Sequence, residues 1–217
     1  MTAKIEHHLT EDLIAGYSAG NLPEAVNLIV ATHVSLCDTC RAAVEAYDAI
    51  GGAVLEQSDE IDVSPACLAG ALDLIRNGAW AAPETRVTRS DPVLPAPLRD
   101  YVGGSLDDVN WRPVGMGVKQ AVLKTSGEAT ARLLYIPAGT AVPDHGHQGM
   151  ELTLVLKGAF RDEDGYFARG DIEIAHEELH HTPIADVSED CICLAVTDAP
   201  LKFRGLLPRL VQPFVGI

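Results

Sequence analysis

Val142-Pro-Asp-His145-Gly-His147-Gln-Gly-Met-Glu151-Leu-Thr-Leu-Val-Leu-Lys-Gly158 is the stretch on which the fold of this chain turns. It carries H-x-H-x-x-x-E and then an apolar run. In a strand, residues i and i+2 share a face, so His145 and His147 point the same way. Gly149 offers a bend or bulge that returns Glu151 to that face. Two imidazoles and a carboxylate then converge, and His181, in His180-His181-Thr-Pro, would complete a four-donor set from another strand. The plain alternative is a group of side chains that merely face solvent, and their spacing argues against it.

Outward from this stretch the pattern is of short strands, at Ala131–Ile136, Leu152–Leu156, Ile172–Ala175 and Cys191–Val196. Turn residues such as Pro137-Ala138-Gly139 and Asp164-Gly165 separate them, as in a barrel or sandwich. Cys191 and Cys193 share one face of the last strand. They are either small apolar packing residues or redox-sensitive groups directed at the metal. The donor set suits zinc or another divalent transition metal, and ligand type alone does not choose among them.

Upstream the composition changes. Residues 81–97 hold Pro83, Pro92, Pro95 and Pro97 with little periodic hydrophobicity, which reads as a linker between a unit at 1–80 and one at 98–217. The first 80 residues read as four helices. Thr10 is placed to cap the first, which should end at Gly20, and Pro23 suits the first turn of the second. The third runs from about Asp38 to Glu56, weakened by Gly51-Gly52. Ser64 and Pro65 open the fourth, whose stripe of Leu68, Leu72 and Ile75 is expected to pack inward, with Cys67 as a core residue.

Within this part, His33-Val-Ser-Leu-Cys37-Asp-Thr-Cys40 is H-x-x-x-C-x-x-C. Offsets of four and seven residues bring these side chains to one side of a helical corner. Two thiolates and an imidazole are three of the four soft donors of a closed tetrahedral zinc site, and His7 or His8 upstream is the available fourth. A redox C-x-x-C would open a helix after a strand, a setting absent here.

The bulk numbers restrict partners. Among 217 residues, Lys and Arg total 16 against 31 Asp and Glu, a net charge of −15. Such a chain should be repelled by nucleic acid and suited to a basic protein partner, so direct DNA or RNA binding is not expected. No window approaches 18 uninterrupted apolar residues, so no transmembrane helix is expected either. The polar start and the cysteine usage point to a cytoplasmic protein with reduced thiols.

The H-x-H-x-x-x-E run, with Gly158 seven residues after Glu151 and the late His181-Thr-Pro, resembles the two motifs of the cupins over about residues 110–197. That resemblance implies a jelly-roll β-barrel and selects His181 over His180 as ligand. The upstream histidine with His33, Cys37 and Cys40 between short helices resembles the zinc-binding anti-sigma domain of bacteria. It implies a four-helix domain that clamps an ECF sigma factor, with zinc ligands His8, His33, Cys37 and Cys40; His8 is preferred to His7 as the nearer to Thr10. Taken whole, helical domain plus cupin resembles the ChrR family of anti-sigma factors. The resemblance implies a non-enzymatic, zinc-dependent inhibitor that holds an RpoE-like group IV sigma factor 1:1 and releases it on singlet oxygen or organic peroxide. The competing reading is a cupin metalloenzyme, of dioxygenase or isomerase type, with an accessory helical domain.

Overall fold

A computed structural model describes residues 4–78, 90–146, 148–176, 180–199 and 202–203. Five α-helices come first: α1 (Glu11–Ser18), α2 (Glu24–Val34), α3 (Asp38–Glu56), α4 (Pro65–Arg76) and α5 (Ala96–Val102). A 3-10 turn, Leu106–Asp108, leads into strands β1 (Arg112–Gly115), β2 (Val118–Val122), β3 (Thr130–Ile136), β4 (His145–Gly146), β5 (Glu151–Lys157) and β6 (Ala159–Arg161). Strands β7 (Tyr166–Ala168), β8 (Ile172–Ala175), β9 (His180–His181), β10 (Ile184–Ala185), β11 (Cys191–Thr197) and β12 (Lys202–Phe203) follow.

The strands form a six-stranded antiparallel sheet in the order β1-β2-β3-β11-β5-β8 and two three-stranded sheets, β10-β6-β7 and β12-β4-β9. One apolar cluster, with Val118, Ile136, Val155, Phe160, Phe167, Ala185, Cys191 and Cys193, joins the large sheet to the β10-β6-β7 sheet and fills the barrel. The opposite face of the large sheet is also covered. Leu133, Leu152, Leu154, Leu156, Leu194 and Val196 share a cluster with Leu28, Ile29, Leu94 and Leu98 of the helical part. Strands β5 and β11 are therefore buried on both faces, which is why β11 is apolar from Cys191 to Val196 and β5 breaks its apolar run only at Glu151 and Thr153 before Lys157. Period-two alternation then fixes the interior: Glu151, Thr153 and Val155 share one face of β5, and Glu173 is paired with Thr153 across β8. Gly158, at φ +69°, turns the chain after β5; a Cβ there would lie 2.6 Å from the Asp190 carbonyl oxygen.

Several helical expectations change. Thr10 and Ser64 stand at the N-caps of α1 and α4, but neither side chain makes a capping bond. At α3 the cap is Cys37, whose Sγ accepts the Cys40 N–H at 3.4 Å. Residues 81–89 of the expected linker lie outside the described residues. Its end is folded down: Leu94 and Leu98 are fully buried, and Asp91 accepts the backbone N–H groups of Val93, Leu94 and Leu106. Tyr101 Oη donates to Glu24 Oε1 at 2.8 Å and fastens α5 to the start of α2.

The largest departure is α4. No residue of this helix is buried. Leu68 and Ile75 are 68% and 71% exposed, Leu72 is exposed too, and Cys67 is an exposed thiol rather than a core residue. The distal half of α3 is bare as well, at Ile50, Val54 and Leu55. Together these segments form an arm with apolar side chains that no described residue buries.

Candidate metal centres

The first centre forms where the extended N-terminal segment meets the corner between α2 and α3. His8 lies on the extended segment before α1, His33 in the last turn of α2, Cys37 at the cap of α3 and Cys40 in its first turn. Their donor atoms all lie within 4.8 Å of one another. His8 Nδ1 is 3.3 Å from Cys37 Sγ and 3.7 Å from Cys40 Sγ, and His33 Nε2 is 3.3 Å from Cys40 Sγ. His33, Cys37 and Cys40 are buried, with His8 as the exposed wall.

The electrostatics suit a cation. Burial, helped by the nearby His8, pushes the His33 imidazole down to about 4, so it stays neutral and keeps a lone pair to offer. Burial pushes the Cys40 thiol up to about 11, so a thiolate there needs a compensating positive charge. A two-nitrogen, two-sulfur set of this kind fits closed tetrahedral zinc.

His7 is directed elsewhere. Its ring packs on Phe167 at 4.3 Å, and its Nδ1 is 3.5 Å from Asp171 Oδ1. Asp171, at the entry to β8, accepts the backbone N–H of Glu6 at 2.7 Å and of His7 at 2.9 Å, while its other oxygen accepts that of Ala168 at 2.8 Å. The adjacent Gly170 leaves room for Ile5, whose Cδ1 would be 2.6 Å from a Cβ there. The segment that carries His8 is thus strapped to the barrel.

The second centre lies in the barrel interior. Strands β4 and β9 pair with His145 opposite His181. The two Nε2 atoms are 3.2 Å apart. Each Nδ1 is engaged: His145 with the Pro143 carbonyl oxygen at 2.8 Å, His181 with Asp162 Oδ2 at 2.8 Å and Glu173 Oε1 at 3.0 Å. Glu151 is buried at the start of β5 and accepts the Thr153 hydroxyl at 3.2 Å. Its charge acts on both His181 and Arg132. His147 lies outside the described residues. His180 is exposed, as expected of the neighbour of an inward histidine.

Asp162 and Glu173 belong to this interior and were not anticipated from the sequence. Burial pushes Glu173 up to about 8. Burial draws the His181 imidazole down, but its bonds to Glu173 and Asp162 outweigh that and hold it up to about 9. The signal for Glu173 was an acid inside an otherwise apolar strand, Ile172-Glu173-Ile174-Ala175; Asp162 read only as part of a turn.

Cys191 and Cys193 face the same interior with Sγ atoms 3.4 Å apart. The Cys191 contact and burial push the Cys193 thiol well above its ordinary range, with Glu173 and Glu151 adding to the shift. Cys193 is thereby held as a thiol, not as a nucleophilic thiolate.

Residues 101–200 match the family model of the ChrR cupin-like domain. The anti-sigma-E factor ChrR of Cereibacter sphaeroides is 56% identical to this chain over 214 residues, 98% of this chain and 99% of that protein. The crystal structure of Rhodobacter sphaeroides SigE in complex with the anti-sigma ChrR is similar at a TM-score of 0.78 and 52% identity, covering 89% of this chain and 99% of that one. Among the described residues no helix is long and apolar enough to cross a membrane.

Proposed function

The chain belongs to the ChrR family of anti-sigma factors, and from that membership we propose that it holds an RpoE-like ECF sigma factor 1:1 in the cytoplasm, away from RNA polymerase, and lets it go when its barrel meets singlet oxygen or organic peroxide. The observation that carries the reading is the bare apolar face of the α3–α4 arm. Leu55, Leu68 and Ile75 are 74%, 68% and 71% exposed in the free chain, and large apolar side chains left bare in this way are what a partner protein covers. The net charge of −15 favours a basic partner, such as a protein that itself binds DNA.

Zinc is the ion we assign to His8, His33, Cys37 and Cys40. When bound it supplies a fixed tetrahedral crosslink and keeps both thiols deprotonated. It would tie the N-terminal segment and the α2–α3 corner together and so set the direction in which α3 and the arm leave the body. In the barrel, His145, His147, Glu151 and His181 would hold zinc or another divalent transition metal. The oxidisable imidazoles and the Cys191–Cys193 thiols around that centre are suited to receive the signal. On this reading the chain has three parts: helical residues 1–80, a connector at 81–97 and a barrel at 98–217.

Co-expression with an ECF sigma factor from the same organism tests this. A 1:1 complex is expected on size exclusion, it should block transcription by added core polymerase, and singlet oxygen should dissociate it. A chain that captures no sigma factor while retaining its metal overturns the reading.

A further inference from the structure

Two facing imidazoles in the barrel pose a problem of charge. His145 Nδ1 meets the Pro143 carbonyl oxygen, which can only accept a hydrogen bond, so this nitrogen carries the proton. His181 Nδ1 meets the carboxyl oxygens of Asp162 and Glu173, so it too donates. With Nδ1 so engaged, each ring turns its Nε2 toward the other, and those atoms are 3.2 Å apart. Two lone pairs cannot face each other at that distance, so the gap holds either a proton carried by His181 or a metal ion. Two nitrogens about 2.0–2.1 Å from one tetrahedral ion stand roughly 3.3 Å apart, so the spacing matches a shared metal.

The carboxyls behind His181 come from two further elements. Asp162 lies in the turn between β6 and β7, Glu173 on β8 and His181 on β9. Their side chains are 0%, 5% and 2% exposed, and Asp162 is itself anchored by the N–H groups of Asp164 and Gly165. We propose that Asp162 and Glu173 are a positioning pair that fixes the tautomer and ring plane of His181, presents its Nε2 to the barrel ion and sets how tightly that ion is held. The proposal rests on the reading of the barrel as a metal site. It concerns residues outside the His145, His147, Glu151 and His181 set.

Asp162, Glu173 and His181 Nδ1 are also close enough together to be considered as a metal site on their own. Their contacts of 2.8 and 3.0 Å are instead those of charge-assisted hydrogen bonds.

The test uses the full-length chain, zinc and cobalt as probes, and chelator competition with the metal content of the two centres resolved. Glu173→Gln and Asp162→Asn keep side-chain shape and are expected to weaken the barrel ion about 10–100-fold, while the ion in the His8–Cys40 cage is unchanged. Glu173→Ala, which has no acceptor, should weaken it further than Glu173→Gln. The cobalt absorption spectrum of the barrel centre should shift in Glu173→Gln, which a purely structural role would not produce, and unchanged far-ultraviolet dichroism confirms the fold. Wild-type affinity and spectrum in both conservative variants would overturn the positioning role alone. Loss of the ion in Asp162→Asn with full retention in His145→Ala would place it on the other side of His181 and overturn the proposal. A wild-type barrel that takes up neither ion would sink the metal reading itself, and this pairing with it.

Discussion

The Asp171 carboxylate accepts the backbone N–H of His7 at 2.9 Å, one residue from His8 of the candidate zinc cage. The same side chain accepts from Glu6 and Ala168, and the strand it introduces carries Glu173, which hydrogen-bonds His181. A single short segment of β8 therefore touches both centres. Asp171→Ala strands three N–H groups, each worth about 1–3 kcal/mol if left buried and unpaired. The variant is expected to lose zinc from the N-terminal cage to a chelator more readily than wild type while the barrel ion stays. Cage zinc retained as in wild type would show that His8 is held by other means.

Cys37 has two roles that one substitution separates. Serine is a good N-cap, so Cys37→Ser should preserve the start of α3 and its helical content while removing a zinc ligand. Cys40→Ser lacks only the ligand. Both should release the sigma factor at least tenfold more readily, with the remaining thiol open to titration. Full sigma capture by either variant, without zinc, would contradict a structural role for the ion.

The arm makes an opposite prediction for stability and binding. Leu68→Asp and Ile75→Asp alter exposed positions, so the free chain should change by no more than about 0.5 kcal/mol. Burying a leucine-sized side chain is worth about 1.5–3 kcal/mol, so each change should weaken sigma capture about 10–100-fold. Calorimetric titration separates the two effects. A large drop in melting temperature would mean the helix packs on its own chain.

Asp91 provides a pH test. Burial works to raise its carboxyl, but the N–H groups of Leu106, Leu94 and Val93 outweigh that and hold it below the usual carboxylate range. A carboxylate lowered on folding adds stability above its unfolded value near 4, and that contribution disappears as pH falls through the folded value. Asp91→Asn should cost about 1–2 kcal/mol at neutral pH and flatten the acid limb of the stability profile. An unchanged acid limb would assign that limb to other carboxylates.

How far residues alone carried the structure depended on where their partners lay. His33, Cys37 and Cys40 are close in sequence, so helical offsets sufficed to bring them together, and the choice of His8 over His7 agrees with their opposite directions in the fold. His145 and His181 were recognisable from strand alternation and motif. Asp162 and Glu173 were not, because their significance depends on three elements meeting inside the barrel. Leu94 and Leu98 were hidden in a proline-rich stretch, although both are buried in the core that joins helices to sheet. The stripe on α4 was found correctly but assigned inward: periodicity reports that a face is apolar, not which molecule covers it.

That arm also bears on the amount of protein a cell can keep. A free chain displays Leu55, Leu68 and Ile75 to chaperones and proteases, which act on such surfaces. Copies made in excess of sigma should be short-lived, and their lifetime should lengthen as sigma is supplied. The ratio of inhibitor to target would then be balanced by turnover as well as by synthesis, because the surface proposed to capture the partner would also be the surface that condemns a chain without one.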